Sequence, residues 1–182
     1  MKRIAELILE AGFLKHLPRS GYQFLGAGRE SVAEHVYSAT FIAFVFSLLK
    51  PDLDAHRLIT MCLVHDLPES RLGDLNYVQK QYLQGDEPKA IADALKDIAF
   101  GDDVKALIEE FNAGRTAEAQ LARDADQLAL LLDLKSLHDV GYRTPEGWMP
   151  HVQQRLKTKL AQQLAEALLA ESWDGWWRKL FC

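Results

Sequence analysis

Six histidines and no clustered cysteines limit where chemistry can be sought in this chain, and no G-x-S-x-G turn signals a nucleophilic serine. The dipeptide His-Asp occurs at His65-Asp66 and at His138-Asp139, against roughly half an occurrence expected from residue frequencies. Context separates the two copies. His65-Asp66 ends an apolar helix and runs on into Glu69 and Gly73-Asp74, in HDLPESRLGD, whereas His138-Asp139 ends at Gly141 with no acidic cluster around it. Neutral imidazole and carboxylate suit zinc, manganese, cobalt, iron or nickel, and a full site in a helical protein draws its ligands from several helices. Neighbours on a helix lie about 100° apart, so His65 and Asp66 reach a cation from two sides. His35 in AEHVYS and Asp126 in RDADQL are further candidates, since both sit in apolar stretches. A buried unpaired carboxylate there would cost several kcal/mol or take up a proton. Asp124 competes with Asp126, because residues two apart point to nearly opposite sides of a helix.

These residue types suit phosphoryl chemistry. A bound cation polarises a phosphoryl oxygen and acidifies a water, and Arg19 can share the phosphate charge. Glu69, three residues after Asp66, can lie on the same side of the helix and position or deprotonate the attacking water. Other features have plainer readings. Cys62 reads as a small core residue, and Gly26-Ala27-Gly28 is only a weak phosphate-nest signal. His16, His56, His138 and His151 read as surface or helix-end residues, and Trp173, Trp176 and Trp177 as packing or interface.

The elements that must position these groups have helical, not alternating, periodicity, which predicts an all-α single-domain helical bundle. A first helix carries Ile4, Leu7, Ile8, Ala11 and Leu14 on one face and ends before a loop from Pro18 to Gly28. A capping box, Ser31-Val32-Ala33-Glu34, opens the second, which Pro51 closes. A third spans about Asp54 to Leu67. Pro88 to Phe100, Asp103 to Phe111, Thr116 to Val140 and Pro150 to Leu169 follow, and a tryptophan-rich tail, about 172–182, is expected to dock on the body or on a partner chain.

Composition bounds the partners. With 182 residues, 48% hydrophobic, 26% charged and a formal net charge of -5, the chain reads as globular and unsuited to gripping a nucleic-acid polymer through many phosphates. The most apolar run, Ala39 to Leu49, is about half the roughly 20 residues of a membrane span, and the N-terminus has acidic Glu6 and Glu10 where an export signal would not. Cys62 and Cys182 cannot build a disulfide framework, which fits a cytoplasmic setting.

His35, then His65-Asp66, then Asp126, together with Arg19 in LPRSGY, ESVAEHVYSA, LVHDLPES, Gly73-Asp74-Leu75 and ARDADQL, resembles the HD-domain metal-dependent phosphohydrolases, in the branch of the 5′-deoxynucleotidases and HD-domain-containing protein 2. The resemblance runs from about residue 7 to residue 140. It implies His35, His65, Asp66 and Asp126 as the metal ligands, Glu69 as catalytic acid or base, Arg19 on the substrate phosphate and Asp74 near the sugar hydroxyl. Relatives carry an aromatic residue beside that arginine; here Ser20 follows Arg19 and the nearest aromatic is Tyr22. No histidine lies between Asp66 and Asp126, which favours one divalent cation, with Co, Mn, Mg, Zn, Fe and Ni undistinguished. The expected activity is phosphate release from (deoxy)ribonucleoside 5′-monophosphates by a homodimer. The alternatives are another phosphomonoester, a cyclic nucleotide, or a non-catalytic metal- or nucleotide-binding module.

Overall fold

Helical periodicity without alternation becomes eleven α-helices among the described residues, 1–181, of the computed structural model, with no strand beyond one isolated bridge, Pro18 to Ser31. Cys182, one of the two cysteines, lies outside the described residues. α1 (Lys2–Phe13) and the single turn α2 (Tyr22–Leu25) precede α3 (Val32–Leu49). Ser31 starts α3 as its sequence predicts: its hydroxyl accepts the Glu34 N–H at 3.2 Å, and Glu34 Oε2 accepts the Ser31 N–H at 2.6 Å. Such a cap is worth about 0.5–2 kcal/mol and sets the register that turns His35 inward.

α4 (Ala55–Val64) is capped by Asp54, which accepts the Arg57 N–H at 2.9 Å. It stops three residues before the expected end at Leu67. Pro68 disfavours helical geometry in its predecessor, and the chain tightens into short turns, Leu67 N–H to Val64 O at 3.1 Å and Glu69 N–H to Asp66 O at 3.0 Å. Glu69 then begins a separate turn, α5 (Glu69–Leu72), closed by Gly73 at φ 76°. α6 (Glu87–Leu95) also ends early. α7 (Gly101–Ala113) begins two residues before the predicted Asp103, at a glycine where a Cβ would lie 2.6 Å from the Leu95 carbonyl oxygen.

α8 (Ala117–Asp139) is the long leucine-rich helix, capped by Thr116. The predicted helix from Pro150 to Leu169 is two helices, α9 (Met149–Arg155) and α10 (Lys159–Ala170), and α11 (Gly175–Arg178) lies in the tail. A buried carboxylate makes the break. Asp124 Oδ1 accepts the Lys157 N–H at 2.8 Å, while Oδ2 accepts the Thr158 N–H at 2.8 Å and its hydroxyl at 2.7 Å. Thr158 in turn caps α10 at Ala161.

α3, α4 and α8 pack together at the centre, burying Ala43, Phe46, Leu58, Met61, Ala122 and Leu128 in the main core. Leu67, Ile91, Leu95 and Ile108 form a smaller cluster under α6 and α7. Because α3 begins at Val32 rather than at the apolar run from Ala39, it is long and apolar enough to cross a membrane by length and composition. In the bundle it carries the buried His35, Ala39, Ala43 and Phe46, the place of a central core helix. Its outer face exposes Tyr37, Phe41, Phe44 and Leu48. At the tail, the Trp173 N–H donates to Asp139 Oδ2 at 2.9 Å, and Trp176 stays exposed.

Asp124→Ala strands two partly buried backbone donors and a hydroxyl, each of which costs about 1–3 kcal/mol when unpaired, less whatever water reaches them. Denaturant unfolding should show a loss of about 2–4 kcal/mol relative to the parent chain.

Candidate metal centre and substrate cleft

His35, in the first turn of α3, is fully buried, and its Nε2 lies 2.7 Å from Asp126 Oδ1 on α8. His65 caps the C-terminus of α4. Its Nδ1–H donates to the Cys62 carbonyl at 2.8 Å, which fixes the tautomer and leaves Nε2 as the lone-pair nitrogen, the second-sphere arrangement common to metal-binding histidines. The ligating atoms of His35, His65 and Asp126 all lie within 4.8 Å of one another. Three of the four predicted ligands are therefore brought together. Asp66 stands beside them and divides its oxygens, Oδ1 at 3.2 Å from His65 Nε2 and Oδ2 at 3.8 Å from Arg19 Nη1.

Of the competing aspartates, Asp126 faces the histidines and Asp124 faces the α9–α10 junction. His138-Asp139, the second His-Asp pair, lies away from the cluster, where Lys135 and the Trp173 N–H hold Asp139.

Glu69 and Asp74 join the cluster from α5 and the turn behind it, and Arg19 joins from the loop after α1. Arg19 Nη1 lies 3.7 Å from Asp74 Oδ2, the oxygen that also accepts the Ser20 N–H at 2.8 Å. Glu30 was missed in the sequence. Buried just before the α3 cap, it sets Oε2 at 3.8 Å from His35 Nδ1 and at 4.0 Å from Arg19 Nε, so one carboxylate stands behind both the histidine and the arginine. Gln127 was also missed; its amide donates to Asp126 Oδ2 at 2.9 Å. Neither has a local signal, since each is an ordinary polar residue until the fold places it. Gly26 and Gly28, read as a weak nest, serve packing: Gly26 ends α2 at φ 71°, and a Cβ at Gly28 would lie 2.9 Å from the Tyr22 ring.

Charge in the cluster is strongly unbalanced. Burial would raise Asp126, yet His35 and His65 hold it well below the usual carboxylate range. Burial likewise opposes charge on His65, but Asp66 and Asp126 push it up to about 9. Glu69 is pushed up to about 8, first by burial and then by Asp66 and Asp74, with Arg19 and His65 pulling the other way. Arg19, opposed by burial, is nonetheless held charged by Asp66, Asp74, Asp126 and Glu69. The carboxylates favour positive charge on His65 and Arg19.

The residues fit a cation. His35 Nδ1, His65 Nε2, Asp66 Oδ2 and Glu69 Oε2 are all buried without a hydrogen-bond partner. An unsatisfied buried polar group costs about 1–3 kcal/mol, so three on neighbouring residues, His65 Nε2, Asp66 Oδ2 and Glu69 Oε2, mark a place where ligands are expected, while His35 Nδ1 faces Glu30. Beside it, Arg19 and Asp74 line a cleft of about 740 Å³, within the 300–1,000 Å³ of small-molecule sites.

The pattern described as HD domain matches residues 11–168. The chain is 26% identical over 149 residues to the human 5′-deoxynucleotidase HDDC2, covering 78% of this chain and 72% of that one. It is 30% identical over 139 residues to the Xenopus laevis protein of the same name, covering 72% and 67%. Among solved structures, a conserved hypothetical protein from Pyrococcus furiosus superposes with a TM-score of 0.76 at 29% identity, covering 90% of this chain and 96% of that one.

A cation that binds only the folded chain stabilises it by mass action, about 2.7 kcal/mol at a hundredfold excess over Kd, or about 5–10 °C in Tm for a domain of this size. Scanning calorimetry with divalent metals should show this rise for the parent chain and for Asp124→Ala, and none for Asp126→Ala. A chelator should reverse it.

Proposed function

Because the chain belongs to the HD domain family, we propose that it is a metal-dependent phosphohydrolase releasing phosphate from nucleoside 5′-monophosphates, deoxyribonucleotides preferred. The observation that carries this reading is the meeting of Arg19 with the unpaired oxygen of Asp66, next to the unpaired Glu69 Oε2 and His65 Nε2, where Arg19 itself lines a cleft sized for a small molecule. The relatives named 5′-deoxynucleotidase support the substrate class.

His35, His65, Asp66 and Asp126 would hold one divalent cation, and what it supplies when bound is Lewis-acid charge toward a phosphoryl oxygen and a more acidic water. Arg19 binds the phosphate through its guanidinium, which Asp74 and Asp66 orient and keep charged. Glu69 Oε2 orients the attacking water and takes its proton as the new P–O bond forms and the bond to the 5′ oxygen breaks. That oxygen leaves as the sugar hydroxyl once it has picked up a proton, giving nucleoside and inorganic phosphate. Burial beside Asp66 and Asp74 pushes Glu69 up to about 8, with Arg19 and His65 pulling the other way, which suits it to exchange a proton near neutral pH. Asp74 accepts the sugar 3′ hydroxyl, which rewards a free hydroxyl there and disfavours 3′-phosphates.

A homodimer in the cytoplasm completes the reading. It is supported by the exposed row of Tyr37, Phe41, Phe44 and Leu48 on α3 and by the free, buried thiol of Cys62. Exposed apolar area of this kind marks protein contact surfaces.

Phosphate release measured across nucleotides with several metals tests the assignment. Deoxyribonucleoside 5′-monophosphates should exceed ribonucleotides, and 3′-monophosphates should be poor; equal kcat/KM for 3′- and 5′-monophosphates, or activity confined to cyclic diesters, would reject it. Glu69→Gln should lose about 10²–10⁴-fold in kcat while keeping the metal-dependent rise in Tm. Near-normal turnover in that variant would remove Glu69 from the chemical step.

A further inference from the structure

The cleft that Arg19 and Asp74 enter is far longer than a phosphate needs, and its far wall is one face of α9. Trp148, His151, Val152 and Arg155 follow one another at helical spacing and all line it, the i, i+3, i+4, i+7 pattern of a single helix face. Val152 is buried in the main core, and Trp148, half-buried at the head of α9, packs against the same core. One side of the indole is therefore held fast, and the ring contributes to the cleft wall. A Cβ at Gly21 would lie 3.8 Å from the Trp148 ring. The indole thus lies against the backbone two residues beyond Arg19, in the same cleft that Arg19 lines.

Of the other residues lining the cleft, Tyr22 and Asn76 have their polar groups committed within the fold. Tyr22 donates its hydroxyl to Asp133 at 2.5 Å, and its ring lies against Gly28. Asn76 spends its amide on Gln23 and Gln79, donating to the first at 3.2 Å and accepting from the backbone of the second at 2.9 Å. Besides His151 and Arg155 on the helix face itself, Leu25, Leu130 and Val152 give the cleft apolar lining. A flat aromatic ring is the ligand chemistry that such a wall rewards, and stacking on indole is tolerant of base identity because every base has a π-face.

Resting on the nucleotide reading above, we infer that Trp148 is the platform on which the substrate's nucleobase stacks, so that α9 reads the base while Arg19 and the metal centre read the phosphate. This division gives loose base discrimination with a strong requirement for some base. It also assigns a substrate-binding task to the segment after α8.

The test compares deoxyribonucleoside 5′-monophosphates with deoxyribose 5-phosphate, which has phosphate and sugar but no base, on the metal-loaded full chain. Trp148→Ala should raise KM for the nucleotides about tenfold or more and change KM for deoxyribose 5-phosphate less than twofold. Trp148→Phe, which keeps a ring and the core packing, should restore most of the nucleotide KM. A nucleoside without phosphate should inhibit the parent enzyme competitively and inhibit Trp148→Ala at least tenfold more weakly. If Trp148→Ala shifts both substrates alike, or shifts neither, the base platform is wrong while the phosphohydrolase reading stands. A parent enzyme that cleaves other phosphomonoesters but no nucleoside monophosphate overturns the base platform together with the nucleotide substrate class.

Discussion

The contact between His35 Nε2 and Asp126 Oδ1, made at 2.7 Å across the α3–α8 interface by residues 91 apart in sequence, is the constraint on which the site depends. Both residues are hemmed in by the apolar core, and a charged or strongly polar pair there is tolerated only when each group has a partner. Sliding α3 along α8 by one turn would move one of them by about 5.4 Å and leave His35 Nε2, fully buried, without its partner. The packing of the two central helices is therefore coupled to the geometry of the metal centre. His65 adds the third corner from α4, which packs on both, and its tautomer is set by the last carbonyls of its own helix.

A second constraint is that the acidic groups greatly outnumber the cations around them. Asp66 is shared between the histidine corner and Arg19, Asp74 between Arg19 and the Ser20 backbone, and Glu30 stands behind both His35 and Arg19. Asp66 and Glu30 thus link the histidine corner of the site to Arg19, and Asp74 ties Arg19 to its own loop. The early stop of α4 makes this possible, because the turns around Pro68 bring Glu69 and the Gly73-Asp74 bend back toward His65 rather than carrying them away along a continuous helix.

The break between α9 and α10 has a comparable effect on the other side. Asp124 anchors the junction with three hydrogen bonds, so α9 ends against α8 and its Trp148-to-Arg155 face is turned to the cleft. Two aspartates on one helix, two residues apart, thereby divide the work: one meets the histidines and the other fixes the wall of the cleft.

The sequence by itself determined what short-range interactions govern. The helical class, the Ser31 capping box and the apolar stretches enclosing His35 and Asp126 were all legible, because caps and periodicity depend on residues within about four positions. The residue types of the ligand set were legible too, since imidazole and carboxylate in an apolar helix announce a need for partners. Local patterns could not show that α4 would stop at Val64, that the span from Pro150 to Leu169 would break at Leu156–Thr158, or which of Asp124 and Asp126 would meet the histidines. Those outcomes were decided by packing between helices distant in sequence: Asp124 gains its three donors only once α10 lies against α8. Glu30, Gln127 and Trp148 were invisible for the same reason, being unremarkable side chains until the tertiary fold sets a carboxylate behind His35, an amide on Asp126 and an indole beside Gly21.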